Sequence, residues 1–219
     1  MGQTPSFCGV ILAAGESSLL GYDPALLPWP PLTAGAALRG TFLSAAIQLF
    51  FPRVDLVLVV AGKNEAALTP VVYANGASLA VNPDMTTPDS SDGQFSSLRI
   101  GLQEVLSRGR DAAMVTLVNR PPVHTETIDK LVAAFEQAAI KRKWAVIPEY
   151  QGTRGYPILL GREMMEAFLR APETSNAHDV ERTHNNEIEY VPVDDPLVAI
   201  SVDTPEQYAA LTLQIPPSS

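Results

Sequence analysis

The chain has 219 residues, a net charge of −9 and a pI near 4.8. That acidity argues against a nucleic-acid or anionic-membrane surface, while leaving room for a local basic pocket. A lone cysteine, Cys8, excludes an internal disulfide, and no apolar run approaches the length of a membrane span.

Val10 to Ala14 is an uncharged apolar run that stops at Gly15. It reads as a strand buried on both faces, the central strand of a mostly parallel sheet, followed by a tight turn. Cys8, at its start, reads as a small buried hydrophobe rather than a nucleophile. The loop from Gly15 to Pro31 is rich in Gly and Pro. Ala36 to Phe50 carries apolar residues at helical spacing, Val54 to Ala61 is a second strand, and Asn64 to Tyr73 is a short helix interrupted by Pro70. Ser78 to Val81 is a third strand. Two consecutive β-α-β units of this kind predict an α/β sheet with right-handed crossovers.

Asn82 to Gly93 is polar and reads as a loop, and Gln94 to Ser107 as a helix. Asp111 to Val118 is a fourth strand, running into Asn119-Arg120-Pro121-Pro122. Thr125 is the expected N-cap of the next helix, whose face is Ile128, Leu131, Val132 and Phe135. Trp144 to Ile147 and Pro157 to Leu160 are strands separated by a turn-rich segment, Tyr150 to Gly155. Arg162 to Leu169 is a helix. Glu187 to Val193 alternates apolar and polar as an edge or antiparallel strand does. Thr204 to Leu213 is a closing helix, with Thr204 as cap and Pro205 at its first position. No repeat or linker divides the chain. The expectation is one Rossmann-like domain over residues 1–219, with about seven strands flanked by helices. Without a basic, apolar leader, it is expected in the cytoplasm.

Five stretches resemble one family. Leu12-Ala13-Ala14-Gly15-Glu16-Ser17-Ser18-Leu19-Leu20-Gly21 to Pro28 aligns without a gap on the opening signature of the MobA-like nucleotidyltransferases. Asn82-Pro83 and Gly93-Gln94-Phe95-Ser96-Ser97-Leu98 are similar to that family's Asn-Pro loop and Gly-x-x-Ser-Ser-Leu helix start. Leu117 to Val123 stands where it has Leu-x-Asp-Gln-Pro-x-Val. Gln151 to Pro157 stands where it has Gly-x-x-Gly-His-Pro. Val202-Asp203-Thr204-Pro205-Glu206 is similar to its Asp-x-Asp-Thr-Pro-Glu ending. The molybdenum-cofactor cytidylyltransferase branch is the most similar.

The resemblance implies transfer of a nucleotide from CTP or GTP to a molybdopterin-type acceptor, with Mg²⁺ and release of pyrophosphate. It places the nucleotide on Leu12, Ala13, Ala14, Gly15, Ser17 and Ser97, and the metal on Asn119 and Asp203. Backbone amides of such a turn approach phosphates closely, and cations offset the charge. The cations are what this chain lacks. The signature arginine falls on Leu19 and the signature lysine on Pro24, and residues 1–38 contain no Lys or Arg. Asn119 replaces an aspartate, Ser201 another, and Tyr156 a histidine. The backbone-shaping Gly and Pro positions persist while the charges are gone. The sequence therefore carries two expectations: a transferase with altered chemistry, or a non-catalytic relative serving as a maturation factor. For the second, the apolar, proline-stiffened loop 22–32 is a contact surface unless it folds back onto the core.

Arg120 and Arg154 are candidates for the missing positive charge. Arg99 reads as part of a solvated helix face. Ser96 and Ser97 suit helix capping and anion binding equally. Asp194-Asp195 reads as a turn before Pro196. His124, His178 and His184 lack ligand spacing, the last two in an exposed segment.

Overall fold

A computed structural model describes residues 6–15, 21–31, 40–84 and 91–211. Eight strands form one sheet: β1 (Phe7–Leu12), β2 (Leu56–Ala61), β3 (Ser78–Val81), β4 (Ala112–Leu117), β5 (Ala145–Tyr150), β6 (Thr153–Arg154), β7 (Ile158–Gly161) and β8 (Ile188–Pro192). The order is β3-β2-β1-β4-β7-β5-β6, with β8 on the other side of β5. Strands β3, β2, β1 and β4 are mutually parallel, β7 runs against its neighbours, and β8 is parallel to β5. The sheet is thus mixed and mostly parallel.

β1 is buried along its whole length between β2 and β4, as its uncharged run predicts. The eighth strand is β6, a two-residue strand inside the segment read as a turn; it pairs with Glu149 and Tyr150. β8 is an edge strand as expected, but its alternation does not signal antiparallel pairing. It lies parallel to β5, its one partner strand among the described residues.

Helices cover both faces. On one lie α1 (Phe42–Phe50), α2 (Glu65–Ala74), α4 (Thr125–Ile140) and α7 (Pro205–Leu211), which contribute Phe42, Leu68, Ile128 and Leu211 to a core under β1, β2 and β4. On the other lie α3 (Ser91–Ser107), α5 (Arg162–Arg170) and α6 (Ala177–Thr183), with Leu102, Met164 and Val180. Gly101 lets α3 sit close on β1: a Cβ there would lie 2.8 Å from Val10 Cγ1.

Several boundaries differ from the sequence reading for local reasons. α1 begins at Phe42, because Thr41 caps it in a reciprocal box with Ser44; residues 36–39 of the expected helix lie outside the described residues. α2 runs through Pro70, with Leu68 and Val72 buried on either side. α3 starts at Ser91, ahead of the expected Gln94. Thr125 is the first helical residue of α4, not its cap. The cap residue is His124, and its N–H is taken by Asp195 from across the fold (2.9 Å). α6 was not foreseen. Val180 is its one buried residue, so no apolar period announces it; only Asn176, which caps the Asp179 N–H, marks its start.

Candidate functional site

The carboxyl ends of the parallel strands gather most of the residues singled out from the sequence. At the end of β1, the Ala13 N–H donates to Val60 O (2.8 Å), and Leu12 O accepts from the Val118 N–H (2.9 Å). The turn is therefore clamped between β2 and β4. Asn64 tightens it further. Its Nδ2 donates to Ala13 O (2.8 Å) and to Asp23 Oδ2 (2.7 Å), while its Oδ1 accepts from the Gly62 N–H (3.0 Å). Ala13 and Ala14 are buried and Gly15 is exposed, so the chain surfaces at the glycine. Ser17 and Leu19 lie outside the described residues. Pro24 is described: it is buried in a short 3-10 turn, Pro24–Leu26, capped by Asp23. In this loop conformation the lysine position of the signature points into protein.

Ser97 is buried beside the end of β3. Its hydroxyl donates to Gly93 O (2.9 Å) and accepts from Asn82 Nδ2 (2.9 Å), and Ser96 is held in the same way. Both serines thus tie the start of α3 to Asn82.

The two metal candidates meet. Asn119 follows β4, and its Nδ2 donates to Asp203 Oδ1 (2.7 Å) and to Ser201 Oγ (3.2 Å). The Ser201 hydroxyl donates to Asp203 Oδ2 (2.6 Å). The Val202 N–H donates to Asn119 O (2.9 Å), so the segment before α7 continues the sheet edge. Among the described residues, no group of three or more His, Cys, Asp or Glu is arranged to hold a metal. The cluster offers one carboxylate, one amide and one hydroxyl.

Arg120, next along the chain, is half-buried, with its guanidinium 5.2 Å from the Tyr156 ring centroid. Its Nε is buried without a hydrogen-bond partner. Burial pulls this guanidinium below its ordinary value, and the nearby Tyr156 and Asp203 oppose that. An arginine so placed keeps its charge and is short of acceptors. Arg154 is stacked instead on Tyr190, at 4.4 Å. Arg99 is not a solvated residue: it donates to Leu169 O (3.1 Å) and Ala171 O (3.4 Å), closing the end of α5.

Beside Leu12, a cavity of about 290 Å³ opens between α3, α6 and the start of β7. Tyr156, Glu181 and His178 are among its lining residues. Sequence reasoning missed it because α6 carries no periodic signal. Asn64 was missed too; its signal was a polar side chain just past the end of β2.

The model for the MobA-like NTP transferase domain matches residues 9–188. The chain belongs to the MobA-like NTP transferase family. The purine catabolism protein PucB of Bacillus subtilis is 26% identical over 218 residues, covering 94% of this chain and 96% of that protein. The molybdenum cofactor cytidylyltransferase of Escherichia coli is 21% identical over 199 residues, covering 91% and 92%. Among solved structures, Rv0371c from Mycobacterium tuberculosis superposes with a TM-score of 0.76 at 21% identity, covering 96% of this chain and all of that one. A complex of the same protein with manganese gives 0.72. The described residues include no helix long and apolar enough to cross a membrane.

Proposed function

We propose that this MobA-like protein binds CTP or GTP at the carboxyl edge of β1, β2 and β4 and transfers its nucleotide to a molybdopterin-type acceptor, with the charge at the site rearranged. The observation that carries this reading is the convergence of Asn119, Ser201, Asp203 and Arg120 beside the clamped turn Leu12 to Gly15.

The turn presents backbone at Ala13, Ala14 and Gly15, where only small side chains crowd an approaching phosphate. Ser17 follows in the same segment. Ser97 holds the start of α3 against Asn82 and so sets the wall of the nucleotide site. Asp203 and Asn119 would hold magnesium. A single carboxylate with an amide oxygen suits an ion that takes its other ligands from phosphate and water. Bound there, magnesium would neutralise phosphate charge during transfer. Arg120 supplies the cation that Leu19 and Pro24 cannot. Its unpartnered Nε and low-dielectric surroundings make its charge count for more than that of an exposed arginine.

Pyrophosphate release with Mg²⁺, each NTP and molybdopterin tests the reading. Release with CTP or GTP is the expected result; none with any NTP at high protein concentration would remove it. One observation favours the non-catalytic alternative, a maturation factor that keeps the fold: both Asp203 oxygens are already engaged by Asn119 and Ser201.

A further inference from the structure

The sheet ends in two strands, β3 and β8, and the two ends are finished differently. On β8, lysines cap the carbonyls. Lys143 Nζ donates to Asn186 O (2.6 Å) and Ile188 O (3.4 Å), and Lys130 Nζ donates to Pro192 O (2.7 Å). Pro192 has no N–H to offer a further strand. Charged side chains and prolines of this kind keep an edge from adding another chain. None of these devices lies within β3. From Ala66 to Pro83, across α2 and β3, the chain holds no Asp, Glu, Lys, Arg or His. The net charge is −9, so an uncharged border is where two copies can meet without repulsion. The border is also apolar. Tyr73 is 63% exposed and Val81 39%, with Ala66, Ala67, Pro70 and Ala74 exposed beside them.

The backbone of β3 narrows the partner. The Asn82 N–H donates to Ala61 O (2.8 Å), so by strand alternation Ser78 and Ala80 also face β2, while Leu79 and Val81 face outward. No strand among the described residues pairs with that outer side. The outward positions on either side offer no donor: the Ala77 N–H goes to Val72 O (3.1 Å), and Pro83 has no N–H. A two-fold axis at Leu79 would set Val81 against Ala77, and one at Val81 would set Leu79 against Pro83; each leaves bonds unmade. An axis at Ala80 sets Leu79 of one copy opposite Val81 of the other, and the reverse. Each such pair exchanges N–H···O bonds in both directions, so every outward group of β3 is used. That axis stands perpendicular to the sheet, which puts α2 of both copies on one face, side by side. Val71 and Asn75 mark the α1 side of α2: Val71 packs on the core, and Asn75 Oδ1 accepts from Gln48 Nε2 (3.2 Å). Tyr73 lies about 160° round the helix from both, on the side toward the open edge.

We infer that the protein is a two-fold dimer in which the β3 edges pair antiparallel about Ala80. The sheet continues from one copy into the next, and Tyr73 of each α2 packs against the other copy. An unrelated extended peptide would satisfy the strand but leave the uncharged face of α2 in water; a second copy covers both. The inference is independent of the transferase reading.

Analytical ultracentrifugation of the full chain over a range of concentrations tests this. The wild type should sediment at twice the 23.5 kDa chain mass. Val81→Glu and Tyr73→Glu place like charges beside the axis at exposed positions. Each should weaken dimerisation at least about tenfold, with the far-UV circular dichroism unchanged. Ala80→Cys gives a second reading. Directly opposite residues of a pair without hydrogen bonds have Cα atoms about 4.5 Å apart, within reach of a disulfide. Oxidation with diamide should link two copies of this variant and not of the wild type, whose Cys8 is buried. A wild type that stays monomeric at every concentration would overturn the inference, whatever peptide its edge then accepts. So would a dimer that both glutamate variants leave intact, or a dimeric Ala80→Cys protein that does not cross-link.

Discussion

In the proposed nucleotide site, Asn119 is the residue through which charge would be set. Its amide donates to Asp203, where an aspartate would repel that carboxylate and draw a cation between them. Asn119→Asp should therefore raise magnesium-dependent nucleotide affinity by about tenfold, roughly 1.4 kcal/mol, read by titration at fixed nucleotide. Pro24→Lys is a poorer restoration, because Pro24 is buried and a lysine there would bring its charge into protein. Gly155 is required by close approach: a Cβ would fall 2.0 Å from Val198 O, which accepts the Tyr156 N–H. Gly155→Ala should cost about 1–3 kcal/mol in urea unfolding and displace Tyr156. Cys8 is buried and its thiol is pushed up to about 11, so it should resist alkylation in the native protein. Glu181 makes the opposite kind of prediction. Burial raises its carboxyl above the ordinary 4.5, against the pull of His178 and Arg154; burial first, and then the charge of Glu181, raise the neighbouring Tyr156 hydroxyl. The folded state then holds that proton more tightly than the unfolded chain does. Stability from this group is full below pH 4.5 and is lost as pH rises through the raised value. Glu181→Gln should raise the melting temperature near neutral pH and leave it unchanged at low pH.

At the scale of elements, α4 has an anchor that is remote in sequence. Asp195, 3% exposed, accepts from the His124 N–H (2.9 Å), the Thr127 hydroxyl (2.8 Å) and the Leu197 N–H (3.0 Å). One carboxylate thus caps α4 and the 3-10 turn Pro196–Ala199 together. Asp195→Ala strands three donors and should cost about 2–4 kcal/mol, read by urea unfolding. This element also shows the reach of sequence reasoning. The turn before Pro196 was legible, because Asp before Pro is a local signal. The bond to His124 joins residues 71 apart in sequence, and no local signal carries it. β1, β2 and β4 were legible because strands buried on both faces leave continuous apolar runs. α6 was not, since a short helix held by Val180 and an Asn176 cap has no period to read. Asn119 and Asp203 were legible as a pair only through the resemblance. The stacking of Arg120 on Tyr156, and the exposed His178 lining a cavity while His184 packs at 5.1 Å on Trp144, needed the fold.

Across the molecule, residues 22–31, the described part of the loop read as a contact surface, tie the two ends of the site together. Their backbone pairs with the start of α1: the Trp29 N–H donates to Gly40 O (3.0 Å) and the Phe42 N–H to Leu27 O (2.9 Å). The Trp29 ring packs edge-on against Phe42, with centroids 5.0 Å apart, and the Tyr208 hydroxyl donates to Pro28 O (2.8 Å). Most of this apolar segment is folded back on the core, and Tyr22 and Leu26 are its exposed large hydrophobics among the described residues. That leaves little of the contact surface expected for a partner protein. Instead it links α7, which follows Asp203, to Asp23, which Asn64 couples to the β1 turn. Nucleotide bound at that edge should therefore stabilise the whole sheet. The most direct measurement is thermal unfolding with CTP and with GTP, each with and without Mg²⁺, for wild type and Asp203→Ala. At a hundredfold excess over Kd, ligand linkage of about 2.7 kcal/mol should raise Tm by roughly 5–10 °C. The account predicts such a rise with one of the two nucleotides, only with Mg²⁺, and its loss in Asp203→Ala. No rise with either nucleotide, or a rise unchanged in Asp203→Ala, would contradict it.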